Sequence, residues 1–165
     1  MALLTTLEPQ DIEVAGVARE LKVPFISVAQ VKPDAGNGGW MVNVPQATPL
    51  MVDTLVAHMQ RSGVKTVAYI GFSDAWGELV YNSMMKAAEP AGIKVLTNER
   101  YARADASVTG QVLKIVAARP DAVMTGGSGT PGALPYLALA ERGFKGNVYG
   151  QHGLINPDFV RVAGP

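Results

Sequence analysis

Apolar residues along the chain gather into short unbroken runs, separated by longer stretches in which they recur every three or four positions. Residues 64 to 72, Val-Lys-Thr-Val-Ala-Tyr-Ile-Gly-Phe, form a β-branched and aromatic run that reads as a strand buried on both faces. From Trp76 to Ala91 the apolar positions Leu79, Val80, Met84, Ala87 and Ala88 trace one side of a helix, opened by Ser73-Asp74 and closed near Pro90 and Gly92. The unit then repeats. The spacing predicts a strand from Ile93 to Tyr101, a helix from Thr109 to Ala118 with Val112, Ile115 and Val116 on one stripe, and a strand from Asp121 to Thr125. A helix from Pro131 to Arg142 carries Leu134, Leu137 and Leu139, Gly143 offers a helix C-cap, and Asn147 to Gly150 is a short fourth strand.

The punctuation between these units is regular. Gly63-Val64-Lys65, Gly92-Ile93-Lys94, Arg119-Pro120-Asp121 and Gly143-Phe144-Lys145 each end a helix and introduce a strand, at intervals of 29, 27 and 24 residues. That is the period of βα units. Parallel strands require long crossovers of one hand, and their helices cover both sheet faces, so the pattern predicts an α/β fold with a doubly wound parallel sheet. Ligands of such sheets lie beyond the carboxyl ends of the strands, which here means Phe72 to Gly77, Gly126 to Gly132 and Gly150 to Asn156.

The first 50 residues read differently. Ile12 to Leu21 is a helix and Val23 to Ser27 a strand, but Lys32 to Gly39 accumulates Pro, Asp, Asn and Gly and reads as a loop. Trp40 to Val44 is a further strand, and Thr48 to Arg61 a helix leading into the first regular unit. One helix and one complete strand cannot enclose a core. The segment is therefore expected to be part of a sheet whose other strands lie outside this chain.

Composition narrows the function classes. Apolar types make up 48% of the 165 residues, enough for a sizeable core, and 14 Lys plus Arg offset 14 Asp plus Glu. Without a basic excess or a cluster of Lys and Arg, nucleic acid is not an expected partner. The absence of Cys removes disulfides, thiolate nucleophiles and Cys-based metal sites. His58 and His152 have no second ligand at metal spacing, so neither a metal nor any other cofactor is expected. No apolar run approaches membrane-spanning length, and Met1 to Glu8 lacks the features of a secretory signal.

Candidate chemistry concentrates at the predicted strand ends. Gly127-Ser128-Gly129-Thr130-Pro131-Gly132 matches G-x-G-x-x-G between a strand and a helix, yet no carboxylate ends the next strand, which favours a tight turn over a dinucleotide site. Gly126-Gly127-Ser128-Gly129-Thr130 imitates a nucleophile elbow. A serine hydrolase would need an acid between Ser128 and His152, and the one available, Glu141, falls at the far end of a helix. Trp76, at the first turn of a helix, either packs or walls a pocket; His152 either contacts a ligand or makes a loop hydrogen bond. Asp53 with Glu78 and Asp105 with Asp121 offer no spacing for acid–base work and read as solvated, while Met84 and Met85 read as core filler.

Several segments together resemble the substrate-binding proteins of bacterial ABC importers for branched-chain amino acids, which have the type I periplasmic binding protein fold. They are Val23 to Ser27, Val64 to Gly77, Ala91 to Val95, Pro120 to Val123, and Gly143 to Gly153 followed by Asn156 to Phe159. The resemblance implies two flavodoxin-like three-layer αβα lobes that close on a small solute and dock on a membrane permease in the periplasm. It assigns 1–39 to a remnant of the first lobe, 40–47 to a crossover strand and 48–165 to four βα units of the second lobe. The family's aromatic wall falls on Trp76, a second cleft position on Ser128 or Gly129, and its ammonium-binding carboxylate on His152. First-lobe contacts to a ligand carboxylate fall near Ser27, Ala29 and Val31, with Thr5 and Thr6 as counterparts whose register stays open.

An imidazole cannot pair with an ammonium as a carboxylate does, so an aromatic or aliphatic acid fits these positions at least as well as an amino acid. The expected function is solute binding without catalysis. A hydrolase or nucleotide-dependent enzyme using the Gly126 to Gly132 loop is the rival, and a receptor domain of the same fold is a third reading. The exposed surface of a lone lobe further predicts self-association of this chain, as a homodimer through its N-terminal segment.

Overall fold

The computed structural model describes residues 3–5, 11–28 and 39–164, in two compact units, Met1–Ala47 and Thr48–Pro165. In the first unit, β1 (Leu3–Thr5), β2 (Phe25–Ser27) and β3 (Met41–Asn43) form a parallel sheet in that order, with Phe25 opposite both Leu3 and Met41. Helix α1 (Asp11–Glu20) lays Ala15 and Ala18 on Phe25, with Val14, Val23 and Met41 around them. Small side chains on that helix face allow close approach to the sheet. Strand β1 is an addition to the sequence reading, which placed no strand before Val23. Of the loop expected from Lys32 to Gly39, only Gly39 falls among the described residues.

The second unit contains α2 (Thr48–Arg61), β4 (Thr66–Phe72), α3 (Ala75–Ala88), β5 (Lys94–Tyr101), α4 (Thr109–Ala118), β6 (Ala122–Gly126), α5 (Leu134–Glu141), β7 (Asn147–Tyr149) and α6 (Pro157–Ala163). Its four strands are parallel in the order β5-β4-β6-β7. Helices α2 and α3 cover one face through Val52, Val56, Met59, Val80 and Met84 against Val67, Tyr69 and Met124. Helices α4 and α5 cover the other through Val112, Ile115 and Leu139 against Ala68, Ile70 and Val123. This is the doubly wound αβα arrangement that the repeat predicts. Complete burial of each large apolar side chain contributes about 1.5–3 kcal/mol, which explains why the central strands β4 and β6 carry the apolar runs 67–72 and 122–124.

Two expectations change. The helix predicted from Pro131 to Arg142 is a 3-10 turn, Thr130–Ala133, followed by α5. Pro135 has no N–H to give to the carbonyl of Pro131, and its ring would strike that carbonyl in a continuous α-helix. The carbonyl instead accepts from Leu134 N and from Tyr101 Oη. Among the paired methionines only Met84 is core; Met85 is 40% exposed.

Asp121 is exposed, as expected, but not merely solvated. Its Oδ2 accepts from Lys65 N at 2.9 Å, Thr66 N at 2.8 Å and Thr66 Oγ1 at 2.9 Å, and its own N–H donates to Thr66 Oγ1 at 3.0 Å. These bonds lock the amino ends of β4 and β6 together. The bonds to the charged form, first of all that from Lys65 N, hold the carboxyl below the usual aspartate range.

At the other end of the sheet, Tyr69 reaches from β4 across two glycines to α3. A Cβ at Gly71 would lie 2.2 Å from the Tyr69 hydroxyl and one at Gly126 only 1.8 Å from it, while the hydroxyl donates to Gly77 O at 2.6 Å. Burial pushes this phenol above the usual tyrosine range, so it remains a donor. Glycine at 71 and 126 therefore makes room for the ring that fixes the start of α3.

Two stability measurements check this account. Asp121→Ala lowers the thermal midpoint at pH 7, and because the stability from a depressed aspartate pKa is full above the unfolded value of about 3.9 and is lost as pH falls from there through the lowered folded value, the gap to wild type closes below pH ~3.9. Gly126→Ala overpacks the Tyr69 site and costs about 1–3 kcal/mol in urea unfolding.

Candidate functional site

Strand β4 turns sharply into α3. Asp74 caps the helix, its Oδ1 accepting from Gly77 N at 3.0 Å, and a Cβ at Gly77 would lie 2.0 Å from Phe72 O. Only glycine lets the first turn sit so close to the strand end. That approach places Trp76 beside the carboxyl edge of the sheet, where its ring packs partly on the apolar clusters of both faces. Its Nε1 is buried without a hydrogen-bond partner. The Trp76 and His152 rings meet edge to face, with centroids 5.7 Å apart and planes at 78°.

The loops after β6 and β7 are stitched to each other. Gly129 N donates to Gly153 O at 3.0 Å, and Gln151, 3% exposed, donates from Nε2 to Gly127 O while its Oε1 accepts from Gly153 N at 2.6 Å. Asn156 caps α6 by accepting from Phe159 N at 2.8 Å and donates from Nδ2 to Gly153 O at 2.9 Å. Gly129 holds φ +58°, ψ −158°, which disfavours any side chain. Gly127 and Gly132 approach so closely that a Cβ on Gly127 would be 2.8 Å from Gly132 Cα and 2.7 Å from Tyr101 Oη.

Charge at this edge is arranged around Arg103, which follows β5. Its Nε pairs with Asp74 Oδ2 at 2.6 Å, its Nη1 donates to Ser128 Oγ at 3.3 Å, and the guanidinium carbon stands 4.2 Å from the Phe72 ring centroid. A second cation, Arg100, pairs with Glu78 at 2.8 Å and lies against Tyr69 and Tyr81. Partial burial lowers the His152 pKa below its usual value, so near pH 7 the imidazole is neutral.

The structure thus brings Trp76, Ser128, Gly129 and His152, expected from sequence, to one edge of one unit. Ser27 ends β2 in the other unit and is buried. Ala29, Val31 and Thr6 lie outside the described residues, and Thr5 ends β1. Sequence reading missed Arg103 and Gln151. Arg103 stands in a loop, 102–108, that is not among the predicted ligand edges although it also follows a strand; Gln151, beside the predicted His152, carries no signal of its own.

The enzyme readings of the Gly126 to Gly132 loop lose their chemistry here. Ser128 Oγ accepts from a guanidinium, which cannot take its proton. Two of the glycine amides that a phosphate cradle would use are occupied, Gly129 N by Gly153 O and Gly132 N by Ser128 O. No group of three or more metal-ligating side chains occurs among the described residues.

A doubly wound parallel sheet with hydrogen-bonding loops gathered at its carboxyl edge defines an α/β ligand-binding fold. The chain belongs to the periplasmic binding protein family, whose sequence pattern it matches over residues 12–157. It is 44% identical to an extracellular ligand-binding receptor from Rhodopseudomonas palustris HaA2, with 99% of this chain and 46% of that one covered and a TM-score of 0.92. At 18% identity the fold is shared with a branched-chain amino acid ABC transporter protein from Thermus thermophilus with bound valine, covering 98% of this chain and 43% of that one at a TM-score of 0.86. It is shared, also at 18% identity, with an ABC transporter solute-binding protein from R. palustris in complex with 4-hydroxybenzoate, covering 98% and 45% at a TM-score of 0.84. The chain spans less than half the length of these structures. No protein of curated function matches it. Members of the family bind solutes without transforming them, in agreement with the loop chemistry above.

Replacing Gln151 by Leu leaves the Gly127 carbonyl and the Gly153 amide without their buried partner; the expected cost is about 1–3 kcal/mol by chemical denaturation, with the 150–156 loop exchanging amide hydrogens faster than in wild type.

Proposed function

We propose that the chain forms one side of the solute site in the binding component of an ABC importer, that this component works in the periplasm with a membrane permease, and that its solute is a small organic acid without an α-ammonium. The observation that carries the ligand class is the charge at the Trp76–His152 pair. An ammonium needs a free carboxylate to replace its hydration, and the three edges Phe72–Gly77, Gly126–Gly132 and Gly150–Asn156 contain one, Asp74. That carboxylate already caps α3 and pairs with Arg103. What remains at the edge is an aromatic wall beside the Arg103 cation, a setting for an apolar body bearing oxygen acceptors.

In this reading Trp76 and His152 hold the body of the solute, and Ser128 and Gly129 line the adjoining edge. Ser27, Ala29 and Val31 supply the first-lobe contacts to its carboxylate. The 4-hydroxybenzoate held by one structural neighbour supports an aromatic acid, while the valine held by another marks the amino-acid alternative.

Calorimetry of the intact protein separates them. Benzoate-type and short aliphatic acids are expected to bind at least ~10-fold more tightly than valine or leucine, and Trp76→Ala to weaken acid binding by ~10-fold or more through loss of about 1.4 kcal/mol or more of contact. Tighter binding of the amino acids would overturn the proposed ligand class, and absence of binding to the whole panel would overturn the solute-binding reading.

A further inference from the structure

Arg103 is the only Lys or Arg in the loops at the carboxyl edge of the four-stranded sheet, Ser73–Asp74, Ala102–Val108, Gly127–Gly129 and Gly150–Asn156. A free arginine side chain samples many rotamers, and an exposed ion pair contributes little stability by itself. This one is held by three different elements: the α3 cap through Asp74, the loop after β6 through Ser128, and the end of β4 through the Phe72 ring. Its Nε and Nη1 are engaged and Nη2 enters none of these bonds, although the side chain is 50% exposed. The result is a guanidinium fixed in place with one edge open.

The carboxylates beside it are already engaged. Asp74 is consumed by Gly77 N and Arg103, Asp105 Oδ2 accepts from Ala102 N at 2.8 Å, and the neutral His152 ring offers one N–H beside one acceptor nitrogen. A fixed guanidinium with one unanswered edge favours an acceptor oxygen over an ammonium or a purely apolar end.

We propose that Arg103 sets the charge selectivity of the site by taking, through Nη2, an oxygen of the solute other than the carboxylate assigned above to Ser27, Ala29 and Val31. The ligand class is therefore an acid with a second oxygen function, a phenol or a second carboxylate. This rests on the solute-binding reading above and deepens it. Arg103 does no chemistry; it selects.

The test compares two pairs of probes on the intact protein by calorimetry: 4-hydroxybenzoate with benzoate, and succinate with butyrate. In wild type the member with the second oxygen is expected to bind at least ~10-fold more tightly in one of the pairs. Arg103→Met, which keeps the stem over Phe72, is expected to bring that ratio to within about threefold of one while the affinity of the mono-oxygenated partner changes less than threefold; Arg103→Lys restores part of the ratio, since an ammonium keeps the charge without the fork. A purely structural role would shift the thermal midpoint and weaken both members alike, leaving the ratio intact. An unchanged ratio in Arg103→Met, or no wild-type preference in either pair, overturns the assignment of Arg103 while the solute-binding reading stands. Failure of every acid and amino acid to bind overturns that reading first.

Discussion

The structure of the larger unit depends on the burial of two adjacent parallel strands on both faces. Once β4 and β6 are covered by helices on either side, no side chain of their interiors can reach a ligand, and the polar groups of the fold are driven to the strand ends. The two ends are treated differently. The amino ends are tied by Asp121, whose carboxylate answers the first amides of β4. The carboxyl ends are left to loops, and the close packing of Tyr69 over Gly71 and Gly126 determines where the first of those loops becomes a helix. Position at the site is thus set by contacts that lie outside it.

Much of this was legible in the sequence because burial imposes a pattern. The strands of the repeat, the helix limits Thr48–Arg61 and Thr109–Ala118 and the Asp74 cap follow from apolar periodicity and local capping chemistry. Strand β1 did not, since three residues give too short a run to carry a period. The division of Pro131 to Arg142 was signalled by Pro135, but the run of leucines outweighed it in the reading. At the site, residues on predicted strand ends could be placed, and Trp76 and His152 do meet. Arg103 and Gln151 could not, because what distinguishes them is partners 25 to 29 residues away in the first case and 24 in the second. Spacing within one sequence does not reveal such partners.

The site also shows how identical loop geometry supports or forbids a chemistry. A G-x-G-x-x-G run at a helix start can cradle a phosphate when its amides point outward unbonded. Here Gly129 N and Gly132 N close on protein carbonyls, and the glycines serve the mutual approach of Gly127, Gly132 and Tyr101. The serine within the run faces a cation that cannot act as a base. The distinction lies in hydrogen-bond satisfaction, which a motif does not record.

The bracing of the last two loops has a further consequence. Gln151 and the backbone pair Gly129–Gly153 fix the loops without using the aromatic face of Trp76, the imidazole of His152 or the outer edge of Arg103. On the proposed reading, the bracing of the loops and the choice of solute fall to different residues: Gln151 and the backbone hold the chain path of 127–129 and 150–156, and His152 is left to meet the solute. On that reading a substitution at 152 would alter which solute is taken and leave the loops where they are, whereas one at Gln151 would loosen both loops at once.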